Sequence, residues 1–320
     1  MARSRPLLIA ALALAGLAAG APPAAAGLVF VKEDKAGALN VWISADDGTG
    51  QRRLAEDATS PKISPDGLLV AYLDADRRAL RLTRTDGGEP RELYDGEMLG
   101  TPKLSPDGSL VAVTTDDRLL VFETDTGRMG VVARAEIGAF SFSPDGQKIV
   151  YDATRNGETN LYTVSVLGDG TKRLTKDGRS LLPVWGAKRI AFVRKKVRTG
   201  AYDVWTMTAR GKRVRRLTKL KVPDGASGLA PVAFSDDGRR MIGQYIAGPL
   251  RVGFTVNPFT GKTRALRRKV AFDVARDGSA VLTQSGGAEE RGKHNVYAAP
   301  YDGGKSVLLV RKAFLPDWSR

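Results

Sequence analysis

Four short runs along the chain are apolar at nearly every position: LLVAYL (68–73), SLVAV (109–113), KIVY (148–151) and RIAFV (189–193). None alternates in the manner of a strand with one wet face, and each is too short to stand as a helix. They predict strands covered on both faces. Each run follows a punctuated approach segment: SPKISPDG, TPKLSPDG, FSFSPDG or LPVWG. A further apolar-aromatic stretch recurs as NVWIS, NLYTV, DVWTM and NVYAA, and the cycle ends with a Gly turn and a basic-apolar segment such as GQRRL, TKRL or VRRL. One cycle therefore predicts four strands.

With the third part as the ruler, cycles begin near Leu39, Leu80, Leu119, Asn160, Asp203, Arg251 and Asn295, at spacings of about 39 to 48 residues. Such a period is that of a four-stranded propeller blade. The fold expected is all-β, a seven-bladed β-propeller of antiparallel blades, with six blades the runner-up. An open solenoid would need capped ends. Here the C-terminal LPDWS repeats the approach segment LPVWG without the apolar run that should follow, and GLVFVKE, residues 27–33, supplies such a run without an approach segment. The N-terminal strand and the C-terminal strands are expected to share one blade and close the ring.

The S-P-D-G string at 64–67, 105–108 and 143–146 has a local explanation. Pro presets φ at the second turn position, Asp suits the third, and Gly accepts the left-handed conformation that lets two strands continue. It reads as a hairpin corner, with SDDG at 235–238 and ARDG at 275–278 as degenerate copies. Trp42, Tyr162, Trp205 and Tyr297 share one place in the cycle and read as packing between blades. Asn40, Asn160, Asp203 and Asn295 lie just before them, where their side chains are expected to bond nearby backbone.

The pattern [N/D]-[V/L]-[W/Y], then DG-x-x-x-R-L-T, then W/F-S-P-D-G-x-x-I-A-F resembles the PD40 repeats of TolB-like β-propellers, a family of exported proteins. Its clearest copy is NLYTVSVLGDGTKRLTKDGRSLLPVWGAKRIAFV, residues 160–193, and the resemblance runs through essentially all of the chain after residue 26. It implies the propeller fold and, for members similar to TolB, a role as an interaction scaffold of the cell envelope. The chain departs from TolB in showing seven cycles where TolB has six blades, and in lacking the domain that precedes TolB's propeller. The same repeat also occurs in propellers fused to serine peptidases and in sugar lyases.

Residues 1–26, MARSRPLLIAALALAGLAAGAPPAAA, place two arginines before an apolar stretch that ends in small residues, as an export signal does. Residues 27–320 are then one propeller domain. A Sec-type route follows, with the product periplasmic, cell-wall-associated or secreted. No transmembrane segment is expected once the signal is cleaved. The alternative is an uncleaved membrane anchor. No cysteine is present, so burial of apolar surface must stabilise the exported chain without disulfides, and thiolate chemistry is excluded.

Little else points to catalysis. There is no G-x-S-x-G elbow, and no length remains for a hydrolase domain. The single histidine, His294, is too few for a clustered metal site and reads as solvated or structurally bonded. LGDGTK and SADDGTG lack a full calcium ligand set. No catalytic residue, metal ligand or cofactor is assigned, and the expectation is a non-enzymatic scaffold. A channel-sited propeller enzyme of lyase or lactonase type is the alternative.

Charge placement carries the remaining signal. The formal net charge is +15, and between Lys188 and Lys221 stand thirteen Lys or Arg and one acid, Asp203. Arg213, Arg215 and Arg216 fall on an outer strand, where basic side chains block edge pairing. Arg194, Lys195, Lys196 and Arg198 are expected in a loop between second and third strands, and Lys219 and Lys221 open a long loop between a fourth strand and the next first strand. Both loop types open on one face of a propeller. The six form a candidate basic patch for an envelope protein or an anionic envelope polymer. Export and the lack of a reading motif argue against nucleic acid as partner, and a monomer is expected.

Overall fold

The computed structural model of the chain describes residues 27–219, 227–246, 252–266, 269–285 and 294–319. The export signal expected over residues 1–26 lies outside them. Among the described residues there are twenty-eight strands and no helix, and so no helix long and apolar enough to cross a membrane.

The strands fall into seven sets of four. The closing blade joins Phe314–Trp318 to Leu28–Glu33, Leu39–Ser44 and Arg52–Ala55. The second blade runs over Ala58–Asp95, the third over Lys103–Arg134, the fourth over Phe140–Arg173 and the seventh over Lys269–Arg311. The fifth (Ser180–Arg216) and sixth (Gly228–Ala265) are continuous in one eight-stranded sheet, through a single parallel bridge between Tyr202 and Gly228. Glycine is required at that bridge. A Cβ on residue 228, whose φ is 142°, would lie 2.2 Å from the Tyr202 carbonyl oxygen.

Ring closure is as the two chain ends imply. Leu28 faces Trp318, Val29 faces Asp317 and Val31 faces Phe314 in antiparallel register, while Ser319 N–H donates to the Gly27 carbonyl at 2.9 Å. The packing explains why GLVFV is apolar throughout. Val29 and Val31 join a cluster with Ile63, Val70 and Tyr72 of the second blade. Leu28 and Phe30 point the other way, into Leu282, Val296 and Val310 of the seventh. A strand whose two faces each meet a neighbouring blade has no wet side, so period-2 patterning is erased. Fully burying four such side chains is worth roughly 6–12 kcal/mol at about 1.5–3 each, comparable to the ~5–15 kcal/mol net stability of a domain.

The S-P-D-G corners form as the residue types demand. Gly67 N–H donates to Ser64 O at 2.9 Å, the Ser64 hydroxyl donates to Asp66 Oδ1 at 2.5 Å, and Leu69 N–H returns to Ser64 Oγ at 2.8 Å. The turn glycines 67, 108 and 146 have φ near 70°. At the third copy, hydrogen bonds from Ser143 and from the Gln147 N–H hold the Asp145 carboxyl below the usual carboxylate range.

Of the four residues expected to bond nearby backbone, Asn40, Asn160 and Asn295 do so, through Ala38 O, Gly178 N and Lys312 N. Asp203 instead accepts from two cations, Arg216 at 2.9 Å and Lys196 at 3.3 Å. Trp42 packs between the closing and seventh blades and Trp205 between the fourth and fifth. His294 is buried, its Nδ1 2.8 Å from the Ser285 carbonyl oxygen.

Two substitutions test this account by urea unfolding. Phe30→Ala should cost about 3–5 kcal/mol, because it hollows the contact that closes the ring, and a loss below about 1 kcal/mol would contradict it. Gly146→Ala meets nothing closer than 3.8 Å, so its cost should be that of the left-handed backbone alone, about 1–2 kcal/mol.

Candidate functional site

The first strand of every blade faces a central channel. Their side chains enclose a cavity of about 480 Å³ to which all seven blades contribute. In each approach segment the residue two places before the turn serine, or its equivalent, lies on the wall. In ring order these residues are Asp317, Lys62, Lys103, Ser141, Val184, Ala233 and Asp273. Each pairs with the corresponding position of its second strand: Val29, Ala71, Ala112, Val150, Ala191, Ile242 and Leu282. Of these seven residues two adjoining ones are acidic, the next two are basic and the other three are uncharged; Asp236 and Arg276, paired with each other at 3.5 Å, also line the cavity.

In three of the seven approach segments a strained residue precedes the channel position. Ser60, Leu182 and Leu315 have φ near 50° although each precedes a proline, a conformation L-residues adopt at a cost. At each place the ladder slips by a residue before the channel position. The strained units are held from the neighbouring blade: Leu182 N–H donates to Asp152 Oδ2 at 2.6 Å, and Leu315 N–H to Gln284 Oε1 at 2.9 Å. Asp152 also accepts from Gly138 and Ala139 N–H, both at 2.8 Å, so one carboxylate binds fourth and fifth blades together. Burial raises its carboxyl above the ordinary range, against those three donors and the Lys103 charge.

On the charged arc, Lys62 Nζ donates to Asp317 Oδ1 at 2.7 Å and Ile63 N–H to Asp317 Oδ2 at 3.1 Å, which ties the closing blade to the second. Burial pushes the Asp317 carboxyl up; the Lys62 ammonium opposes this, and the charge of Asp273 on the adjoining blade adds to it. Lys103 Nζ donates to Phe140 O at 2.5 Å, with its ammonium 5.1 Å from the Phe140 ring centre. Trp318 Nε1 lies on the same wall, buried and without an acceptor among the described residues. Among the described residues no three His, Asp or Glu side chains converge as a metal site would need.

The six cations singled out in the sequence are distributed differently. The second strand of the fifth blade extends to Lys195, so Arg194 lies in the ladder opposite Ser180 and Asp203. Its side chain is only 18% exposed, and its guanidinium donates to Asp177 at 2.7 Å and stacks 4.3 Å from the Trp205 ring centre. Lys196 is spent on Asp203. Lys195 and Arg198 are exposed, and Val197 between them is 82% exposed. Lys219 is exposed beyond Thr218, whose hydroxyl accepts from Val204 N–H at 3.1 Å, so it emerges at the same end of Tyr202–Met207 as the 196–201 loop. Lys221 lies outside the described residues. Exposed ion pairs are worth ~0–1 kcal/mol, whereas Arg194 combines a partly buried pair with a cation–π contact. It is a brace of the blade.

The charged ring went unread in the sequence. Its signal is the letter two before the turn, which changes from Lys to Ser to Val to Asp while the turn stays constant. Only the ring geometry brings those letters together.

No family model matches the chain. A stretch covering 35% of it is 30% identical, over 121 residues, to dipeptidyl-peptidase 5 of Porphyromonas endodontalis, and the match spans 16% of that protein. Among solved structures, TolB from Acinetobacter baumannii is similar with a TM-score of 0.58 and 17% identity, over 88% of this chain and 79% of TolB. Oligogalacturonate lyase from Vibrio parahaemolyticus is similar with a TM-score of 0.61 and 16% identity, over 89% and 85%. These likenesses show the fold, a propeller shared with TolB as the repeat implied. They correct the expectation of a non-enzymatic chain. A peptidase shares part of its sequence and a lyase shares its architecture, so an enzymatic role is compatible with the fold.

Asp317 yields a pH prediction. Its folded-state value is raised, so its contribution to stability is fully present below about pH 4, the unfolded value, and is lost as pH rises through the folded value. Asp317→Asn removes that slope. The difference in unfolding free energy between protein and variant should therefore move in favour of the variant from about pH 4 to about pH 7. Urea unfolding at both values measures it, and a shift in the protein's favour would refute the assignment.

Proposed function

We propose that the chain is an exported propeller that binds an anionic component of the cell envelope, an acidic polymer or protein, through the rim of its fifth blade. The observation that carries this reading is the group Lys195, Arg198 and Lys219, exposed at one end of Tyr202–Met207, with Lys221 following in sequence. Arg194 and Lys196 support the patch from beneath through their ion pairs. The fold shared with TolB and the leader-like residues 1–26 agree with an envelope location. Cations of this kind act at long range and are screened within about 8–10 Å at ordinary salt. They favour partners that present many negative charges over partners that present one.

Replacement of Lys195, Arg198 and Lys219 by Ser should weaken retention on envelope fractions at low salt by about a hundredfold, at ~1 kcal/mol per cation near a charged surface. The melting temperature should not change. Added salt should release the unmodified chain and barely affect the variant. Equal retention of the two chains at low salt would refute the proposal.

A further inference from the structure

The channel offers a second surface, independent of the rim and built on different residues. Going round its wall, the acids Asp273 and Asp317 occupy two adjoining blades, Lys62 and Lys103 the next two, and Ser141, Val184 and Ala233 complete the circle. Phe142, Trp185 and Phe234 add apolar surface, and Asp236 and Arg276 on the same lining pair with each other at 3.5 Å. At about 480 Å³ the cavity falls in the ~300–1,000 Å³ range of small-ligand pockets.

We propose that this channel binds a small zwitterion with an apolar body, of the class of an α-amino acid or dipeptide with large apolar side chains. A ligand of one sign would meet like charge on one arc of the ring, and in a walled cavity that repulsion is little screened. A neutral apolar ligand would cover these charged groups and offer them no partner. A zwitterion matches both arcs, with its ammonium toward Asp273 and Asp317 and its carboxylate toward Lys62 and Lys103. The apolar surface of Phe142, Trp185 and Phe234 receives its side chains. Trp318 Nε1, a buried donor without an acceptor among the described residues, adds a hydrogen bond to the same wall. The Lys62–Asp317 contact that stitches two blades also fixes where the sign changes, so the site is preorganised.

Two indoles on the wall, Trp185 and Trp318, provide the readout. The chain from Gly27 onward is titrated by tryptophan fluorescence with L-leucine and L-leucyl-L-leucine, and with isocaproate and isoamylamine, which keep the apolar body but a single charge each. At least one zwitterion should saturate with a Kd at least tenfold below that of both singly charged probes. Lys103→Gln should weaken it tenfold or more. The rim variant lacking Lys195, Arg198 and Lys219 should bind it as the parent does, which separates this site from the envelope reading. The titrations of the unmodified chain decide the matter even if Lys103→Gln fails to fold. Isocaproate or isoamylamine binding as tightly as the zwitterions, or no response to either zwitterion up to about 10 mM, overturns the proposal.

Discussion

Everything in this structure depends on one antiparallel pairing, that of Phe314–Trp318 with Leu28–Glu33. Without it the seven four-stranded sets are an open row, with an apolar face exposed at each end. With it, each blade is covered by two neighbours, the runs LLVAYL and RIAFV have no wet face, and seven first strands converge on one axis. Asp317 sits on the closing strand itself. The residue that joins the first and last segments of the ring therefore also supplies part of the charge in the channel.

The same economy runs through the approach segments. Proline after a residue with φ near 50° costs backbone energy at Ser60, Leu182 and Leu315. Side chains from the adjoining blade hold two of these three places, and at all three the ladder slips just before the side chain that faces the axis. Asp152 shows the scale of the constraint: a buried carboxylate, raised by burial, is retained because three backbone N–H groups of two blades end on it. Channel chemistry and blade packing are thus set by the same local geometry.

How much of this the sequence discloses follows from the range of each interaction. The S-P-D-G corners are legible because Ser64, Asp66 and Gly67 satisfy one another within four residues. The closure is legible because an orphaned approach segment at one end complements an orphaned apolar run at the other. The fate of Arg194 is not, since its partner Asp177 belongs to a different loop and its stacking partner Trp205 to a different strand. A count of cations between Lys188 and Lys221 cannot separate a brace from a contact surface. The charged ring is the extreme case: its members are spread from residue 62 to residue 317, and no local pattern links them.

The closing contact has a kinetic consequence. Ser319 and Gly27 bond across a separation of 292 residues, and a contact of such range must wait while the chain between searches for its own order. Six sectors can zip from neighbour to neighbour, but the last requires both distant segments at once. Until that moment the polypeptide presents sticky, half-covered sheets and has no interior compartment at all, so the interval before closure is when assistance against aggregation would matter most.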